Sequence, residues 1–219
     1  MKEYLPILRQ CPLFDGIEDG DVPVMLDCLG AVVRTVNKNG EILAEGERAT
    51  HVGILLSGSA HVVRQDFYGN RSIVSSVKAG ELFAESFACA GEQVLPVSVV
   101  AAEHCRVMFV HCQRITAGCA NACCFHSRLI YNLLQIVARR NLEFHQKLEI
   151  TGNRTTREKL MAYLLLQAKR AGGSSFTIPY DRQALADYLG VERSAMSVEL
   201  GKLKKDGVID FHRSNFTIL

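Results

Sequence analysis

The sequence predicts an α+β fold: an antiparallel, jelly-roll-like β-roll, then a long helix, then a C-terminal domain of helices and a β-hairpin. Three patterns predict it: short β-rich runs between glycine turns from about Leu29 to Val110, a sustained helical repeat over 129–148, and two short amphipathic helices near the end. With 219 residues, 48% of them hydrophobic, the chain can bury the cores of two domains.

The N-terminal region has the spacing of an antiparallel sheet. Runs such as "HVGILLSG" and "SAHVVRQD" are separated by turn residues at Asn39–Gly40, Gly46, Ser57–Gly58, Gly69–Asn70 and Gly80. Strand-forming runs bounded by such turns are typical of barrels and jelly rolls. We therefore expect a sheet that encloses a ligand or packs on itself.

The middle of the chain carries a seam of alternating four- and three-residue spacing. Its positions are Ile130, Leu134, Val137, Asn141, Phe144 and Leu148. Such a seam needs a second helix, so these residues are predicted to form a homodimer interface in which Asn141 fixes the register. Leu129, Leu133 and Ile136 widen the apolar face, so we expect the same helix also to cover its own β-domain. The alternative to a dimer is a lone helix that only caps the sheet.

A second domain is predicted to begin after residue 150. The chain then divides into 1–150, which includes a dimerisation helix over about 120–150, and 151–219. Thr155 and Glu158 have capping-box spacing, which predicts a helix over about Thr156–Lys169. Two shorter helices joined at Gly190–Val191 follow, and a hairpin with its turn at 213–215 ends the chain. Two crossing helices with a tight turn form a helix-turn-helix, and the hairpin adds a wing.

The second helix of this pair has a polar outer face at its N-terminal end. In helix-turn-helix proteins that end enters the major groove of DNA, where an arginine can donate two hydrogen bonds to guanine. The candidates there are Arg193, Ser194 and Ser197, beside the apolar Val198. The candidates for phosphate contact, which positions a protein without reading sequence, are Gln183, Lys202, Lys204 and Lys205. The alternative is an ordinary helical hairpin with a solvated charged face.

Composition constrains partners and location only weakly. The formal net charge is +2, but residues 151–219 hold 11 basic against 7 acidic residues, which suits a domain that binds a polyanion. No apolar run approaches the ~20 residues that span a bilayer, and the N-terminus lacks a signal-peptide pattern. We expect a cytoplasmic protein without membrane contact, whose eight cysteines are reduced and mostly buried.

Several motifs, in order along nearly the whole chain, resemble the Crp/Fnr family of bacterial transcription regulators. They are "PLFDGI" (12–17), "GEILAEGE" (40–47), "VGILLSGSAHV" (52–62), "GNRSIV" (69–74), "GELFAESFA" (80–88), "RTTREKLMAYLLLQA" (154–168) and "IPYDRQALADYLGVERSAMSVELGKLKKDGVI" (178–209). The resemblance implies a cyclic-nucleotide-binding-type β-roll, a dimerisation helix and a winged helix-turn-helix. It also implies a homodimer on an inverted repeat in double-stranded promoter DNA, with RNA polymerase as a candidate partner.

The sequence departs from the family where an effector would bind. Cyclic-AMP-binding members carry a Gly-Glu pair and an Arg-Ser pair, and the corresponding residues here are Ala84, Glu85, Leu95 and Pro96. A cyclic phosphate would lose its countercharge there, so cyclic AMP is not expected. We expect another small molecule, which the sequence does not identify, contacted by Glu85, Leu95, Pro96, Val97, Ser98, Phe144 and His145. The alternative is that Glu85 only stabilises a turn.

A sensor based on thiols is a further alternative. Cys119, Cys123 and His126 would share one face of a helix, as a zinc, haem or redox centre requires, although small cysteines packed in a core give the same pattern. Only Cys11 and Cys28 lie near the N-terminus, too few and too far apart for the iron-sulfur cluster of the fumarate-nitrate type. We therefore predict no metal ligand set and leave any cofactor open.

The sequence lacks the common enzyme signatures. It has no P-loop, no dinucleotide-binding glycine pattern, no nucleophile elbow and no paired metal-binding histidines on a helix. The prediction is a non-enzymatic, homodimeric, sequence-specific DNA-binding regulator controlled by a small molecule or a redox signal. A ligand-binding module that acts on a protein partner is the alternative.

Overall fold

The computed structural model describes residues 2–65, 67, 71–91, 93–117 and 124–219. The chain forms two compact units, Met1–Arg139 and Arg140–Leu219, each with its own core. The division falls inside the long helix, and the functional boundary expected near residue 150 stays a prediction. Among the described residues, no helix combines the length and the apolar character needed to cross a bilayer.

The first unit is a β-roll of two four-stranded antiparallel sheets. The order in one sheet is β1 (Val32–Val36), β8 (Cys105–His111), β3 (His51–Ser57) and β6 (Leu82–Phe83). The order in the other is β2 (Glu41–Leu43), β7 (Ser98–Ala101), β4 (Ser59–Gln65) and β5 (Arg71–Lys78). Side chains from both sheets share one core, which includes Ile42, Leu55, Phe83, Val99 and Phe109. The predicted antiparallel roll is confirmed.

The tight connection between β3 and β4 depends on glycine. Gly58 has φ +85°, and a Cβ built there would lie 2.6 Å from the carbonyl oxygen of His104. An L side chain would therefore be strained in its backbone and would also clash. This is the physical reason for the predicted turn at Ser57–Gly58.

Short helices and the start of the long helix cover one face of the roll. They are α1 (Leu5–Leu8), α2 (Val22–Cys28), α3 (Glu85–Cys89) and α4 (Cys112–Thr116), with 3₁₀ turns at Lys2–Tyr4 and Pro12–Phe14. The long helix α5 (Cys124–Thr151) places Phe125, Leu129 and Leu133 in the same core as Leu13 and Phe14. The expectation that this helix covers its own β-domain is therefore correct.

A buried asparagine fastens α5 to the N-terminal segment. Asn132 is 5% exposed, and its Nδ2 donates to the carbonyl oxygens of Leu13 at 2.9 Å and Asp15 at 2.8 Å. Buried carbonyl groups are stable only when they are hydrogen-bonded, so this one side chain fixes where the "PLFDGI" segment meets the helix. Sequence reasoning did not single out Asn132, because one polar residue on an apolar helix face gives no signal of its partner.

The second unit has the arrangement predicted for residues 151–219. Its elements are α6 (Thr156–Ala171), β9 (Ser175–Thr177), α7 (Arg182–Leu189), α8 (Arg193–Lys205), β10 (Ile209–His212) and β11 (Asn215–Ile218), and its sheet order is β10-β11-β9. The capping box at Thr155 and Glu158 is present. Helix α6 continues to Ala171, two residues beyond the predicted end, and stops at Gly172 in the left-handed conformation.

Candidate nucleic-acid interface

Helix α8 is held by a buried face and a side-chain cap. Met196, Leu200 and Leu203 are at most 1% exposed and pack in the core of the second unit. The Glu192 carboxylate caps the helix by accepting hydrogen bonds from the backbone N–H groups of Ser194 and Ala195. The hydrogen bond from the Ser194 hydroxyl has the largest effect on the pKa of Glu192. Together with the two backbone hydrogen bonds, it lowers that pKa. The cap and the buried face together determine which side of α8 faces solvent.

The solvent side of α8 contains the predicted base-contacting residues. Arg193, Ser194, Ser197 and Val198 are all exposed. The Ser197 hydroxyl donates to the Arg193 carbonyl oxygen at 2.9 Å, and the Ser194 hydroxyl donates to Glu192. Within the described part of the chain, no hydrogen bond or ion pair engages the Arg193 guanidinium. Its five N–H donors are therefore available to a partner.

A groove of about 570 Å³ lies between the start of α6 and the first turns of α8. Its lining residues are Thr155, Thr156, Arg157, Ser194, Ala195, Val198 and Glu199. Sequence reasoning missed Thr156 and Arg157 as neighbours of α8. The capping box indicated where α6 begins, but only the packing of α6 on α8 brings its N-terminus beside Ser194.

The predicted phosphate contacts are exposed, but Gln183, Lys202 and Lys204 each already have an internal partner. Gln183 Nε2 donates to Asp187 at 2.9 Å, and Lys202 Nζ donates to Glu199 at 2.6 Å. Lys204 Nζ lies 2.6 Å from an Asp210 carboxylate oxygen and 3.3 Å from the Phe211 carbonyl oxygen. The Lys204 ammonium lowers the pKa of Asp210. Lys204 therefore joins α8 to the wing strand β10.

The predicted effector residues of the roll differ in burial. Glu85, the first residue of α3, is fully buried, and its Oε1 accepts a hydrogen bond from the Ser86 hydroxyl at 2.9 Å. Leu95 is buried, Pro96 is exposed, and Val97 is half-buried. The residue before Glu85, Ala84, has φ +60°, which is unusual for a residue with a side chain. Ala84 is the N-cap residue of α3.

Ser98 belongs to a different surface from buried Leu95. Its neighbours Val99 and Ala101 point into the core between the sheets, so Ser98 and Val100 point to the outer face of β7. The Ser98 hydroxyl donates to Glu41 at 2.8 Å and lines a cavity of about 60 Å³. The structure therefore does not bring Ser98 into the core that contains Leu95.

The predicted dimer seam is largely exposed on the single chain. Ile130 is 39% exposed, Leu134 65%, Phe144 62% and Leu148 66%, while Asn141 is exposed and Val137 is half-buried. Leu142, which the seam prediction omitted, is also 62% exposed. His145 is exposed and lies, like Phe144, in the second unit. The effector roles predicted for these two residues stay predictions.

Comparison with known proteins identifies two domains in this order. Residues 33–121 match the model of the cyclic nucleotide-binding domain, and residues 158–219 match that of the Crp-like helix-turn-helix domain. The chain belongs to the Crp/Fnr family.

Part of this Crp/Fnr chain matches a known transcriptional activator. A segment of 107 residues is 30% identical to the transcriptional activator protein FnrL of Cereibacter sphaeroides and covers 40% of this chain. The match spans 43% of that regulator's length. The Thermus thermophilus catabolite activator protein has a similar structure, with 23% identity, a TM-score of 0.50 and coverage of 95% and 93% of the two chains.

A second similar structure is the c-di-GMP-responsive global regulator CLP of Xanthomonas campestris. It has 16% identity, a TM-score of 0.59 and coverage of 92% of this chain and 99% of its own. At such identities the likeness shows the fold alone. The matched domains and proteins are those of transcription regulators, which confirms the prediction that this Crp/Fnr chain is not an enzyme.

The structure describes only one of the three residues of the predicted thiol site, His126. Cys119 and Cys123 lie outside the described residues. His126 is 6% exposed, and among the described residues its Nδ1 has no hydrogen-bond partner. Within the ranges that the structure describes, no group of three His, Cys, Asp or Glu side chains has the arrangement of a metal site.

Proposed function

We propose that this Crp/Fnr protein is a homodimeric transcription regulator that binds an inverted repeat in double-stranded promoter DNA through α8. The observation that carries the proposal is the exposed N-terminal face of α8, where the Arg193 guanidinium is available and the opposite face is buried. An arginine in this position can donate two hydrogen bonds to guanine O6 and N7 in the major groove. Ser194 and Ser197 supply short hydroxyl groups beside it.

The groove beside α8 supports a path for the phosphate backbone. It lies at the N-terminus of α6, a helix of 16 residues, and contains the Thr155 and Thr156 side chains. Helix N-termini favour anions because their first backbone N–H groups and the helix dipole point outward. Lys202, Lys204 and Gln183 are the proposed phosphate contacts on either side of Arg193. They would exchange their present internal partners for phosphate oxygens.

The exposed seam of α5 supports the dimer. Leu134, Phe144 and Leu148 each expose more than 60% of their surface, and burying them against a second α5 would remove this apolar area from water. A two-fold axis along such a seam generates two copies of α8. They would contact successive major grooves about one helical turn apart.

The signal that controls the regulator is proposed to act on the roll. Buried Glu85 is the proposed polar contact of a small molecule, with Leu95 and Val97 as apolar neighbours in the same unit. Cyclic AMP does not suit this site, because Leu95 and Pro96 provide no countercharge for its phosphate. RNA polymerase remains a candidate partner, and a promoter-binding role implies a cytoplasmic location.

Selection from a random DNA pool tests this function. The full-length protein is incubated with random duplexes, the bound DNA is sequenced, and affinities for the selected and scrambled sites are measured by fluorescence anisotropy. We expect an inverted repeat with a preference of at least about 1,000-fold at physiological salt. Equal affinity for selected and scrambled duplexes would contradict the proposal.

A further inference from the structure

Two thiols lie side by side in the first unit. The Sγ atoms of Cys89 and Cys112 are 3.3 Å apart. Cys89 ends α3 and is exposed, whereas Cys112 begins α4 and is buried. The sulfur atoms of a disulfide are about 2 Å apart, so a shift of roughly 1 Å would bring this pair to bonding distance. Helices α3 and α4 already pack against each other, although the two cysteines are 23 positions apart in sequence.

The hydrogen bond between these thiols makes one of them acidic. Either sulfur can be the donor in this hydrogen bond, which lowers the pKa of Cys112 to about 7, although burial acts in the opposite direction. The same hydrogen bond, followed by burial and the nearby charges of Cys112 and Glu85, raises the pKa of Cys89. Near neutral pH a substantial fraction of the pairs therefore holds one thiolate beside one thiol. This is the combination that a thiol pair needs to react with an oxidant.

Other buried thiols of the first unit are held in the protonated form. Cys105 Sγ donates to the carbonyl oxygens of Ser59 and Glu103, and burial raises its pKa. Burial likewise raises the pKa of Cys11 to about 12. Thiols with raised pKa values react slowly, because the thiolate is the nucleophile.

We propose that Cys89 and Cys112 form a redox site that a small peroxide converts reversibly into an intramolecular disulfide. The Cys112 thiolate attacks one peroxide oxygen, so that an S–O bond forms, the O–O bond breaks, and the departing hydroxide takes a proton to become water. The Cys89 sulfur loses its proton and attacks the sulfenic acid, so that the S–S bond forms and a second water leaves. Two thiols are oxidised and one hydrogen peroxide is reduced to two waters.

Two thiol–disulfide exchanges with a dithiol reverse the reaction, and the dithiol is itself oxidised to a disulfide. Exposure of Cys89 gives a reductant access to the bond. The buried position of Cys112 favours a small peroxide over a bulky disulfide as the oxidant.

The regulatory part of this inference rests on the proposed function. Helix α3 begins at Glu85, the proposed effector contact, and α4 is the helix that directly follows β8. A bond between Cys89 and Cys112 would fix α3 against α4 and thereby restrict the proposed effector segment. We therefore expect oxidation to change the affinity of the full protein for its selected DNA site by at least about fivefold.

Mass spectrometry after differential alkylation tests the site without DNA. The reduced full-length protein is treated with hydrogen peroxide, its free thiols are blocked, and the peptides are analysed before and after reduction. We expect a linked pair of peptides containing Cys89 and Cys112, which dithiothreitol separates. The Cys28→Ser variant is the matched control and should still form this link.

The variants C89S and C112A should not form the link, and because they change different helices, misfolding of one leaves the other informative. Cys89 and Cys112 that both remain free, or that are oxidised to sulfinic acid without a link, would overturn the redox site. A link that forms without any change in DNA affinity would overturn the regulatory part. Absence of DNA binding in both redox states would overturn the proposed function, while the peptide link would still decide the thiol site.

Discussion

Single side chains of α8 differ in what surrounds them, and this difference predicts their roles on DNA. The Arg193 guanidinium is not engaged within the described part of the chain, whereas Lys202 Nζ is 2.6 Å from Glu199. A guanidinium that contacts bases confers sequence preference, and an ammonium that contacts phosphate adds affinity for every sequence.

The variants Arg193→Ala and Lys202→Ala separate these roles. Arg193→Ala should lose about 1–3 kcal/mol of discrimination at one base pair of each half-site. Lys202→Ala should weaken selected and scrambled duplexes alike and reduce the salt slope by about one. Anisotropy titrations on both duplexes at several salt concentrations measure both effects. An equal loss on the two duplexes for Arg193→Ala would show that Arg193 does not read a base.

The thiol pair predicts a pH dependence of oxidation. Because the pKa of Cys112 is lowered to about 7, its thiolate is scarce at pH 6 and predominates at pH 8. The rate of Cys112 oxidation by peroxide should therefore rise about tenfold between these values. In Cys89→Ala the donor is lost, so the pKa of Cys112 should rise and the midpoint of the profile should move to higher pH. Identical profiles for both proteins would mean that Cys89 does not stabilise the thiolate.

At the scale of elements, Asn132 connects α5 to the N-terminal segment through two hydrogen bonds. Asn132→Ala should lower the free energy of unfolding of the first unit by about 1–3 kcal/mol, because it leaves the buried Leu13 carbonyl group without this donor and removes a second hydrogen bond to Asp15. Chemical denaturation followed by circular dichroism measures the loss. Gln135→Ala is the control, since Gln135 is exposed on the same helix. A similar loss in both variants would show that the two Asn132 hydrogen bonds are not its cause.

The exposed apolar seam of α5 predicts how a charged substitution affects the proposed dimer. Leu134→Glu would place a charge in an apolar dimer interface, so this variant should be monomeric at concentrations where the natural protein is dimeric. Arg139→Glu introduces the same residue at an exposed position off the seam and should leave the dimer intact. Light scattering after size-exclusion chromatography distinguishes them. A natural protein that is monomeric at all concentrations would contradict the dimer.

For the whole molecule, local patterns predicted most of the architecture. The turn glycines, the capping box at Thr155 and Glu158, and the apolar spacing of α7 and α8 each depend on residues close in sequence. These patterns can be recognised in one sequence alone, because backbone conformation and helix capping depend on neighbouring residues. Local patterns do not predict the strand order of the two sheets, because the sheets pair strands that are far apart in sequence, such as β1 and β8.

The features of the candidate sites also divide into those that local spacing predicts and those that arise only in the folded chain. Exposure of Arg193 follows from helical spacing, so sequence reasoning identified this face of α8. The partners of Lys202 and Lys204, the outward direction of Ser98 and the anchor at Asn132 depend on elements that meet only in the folded chain. The spacing of the cysteines gave no sign that Cys89 and Cys112 are neighbours.

The sequence by itself determined the order of the elements, the apolar faces of the helices and the family resemblance, because these depend on residue types at short, regular spacings. Only the tertiary structure decided which side chains meet across elements: Asn132 with the N-terminal carbonyls, α6 with α8, and Cys89 with Cys112. The physical reason is that segments distant in sequence pack together within each unit, where contact between side chains depends on the path of the backbone and not on spacing along the chain.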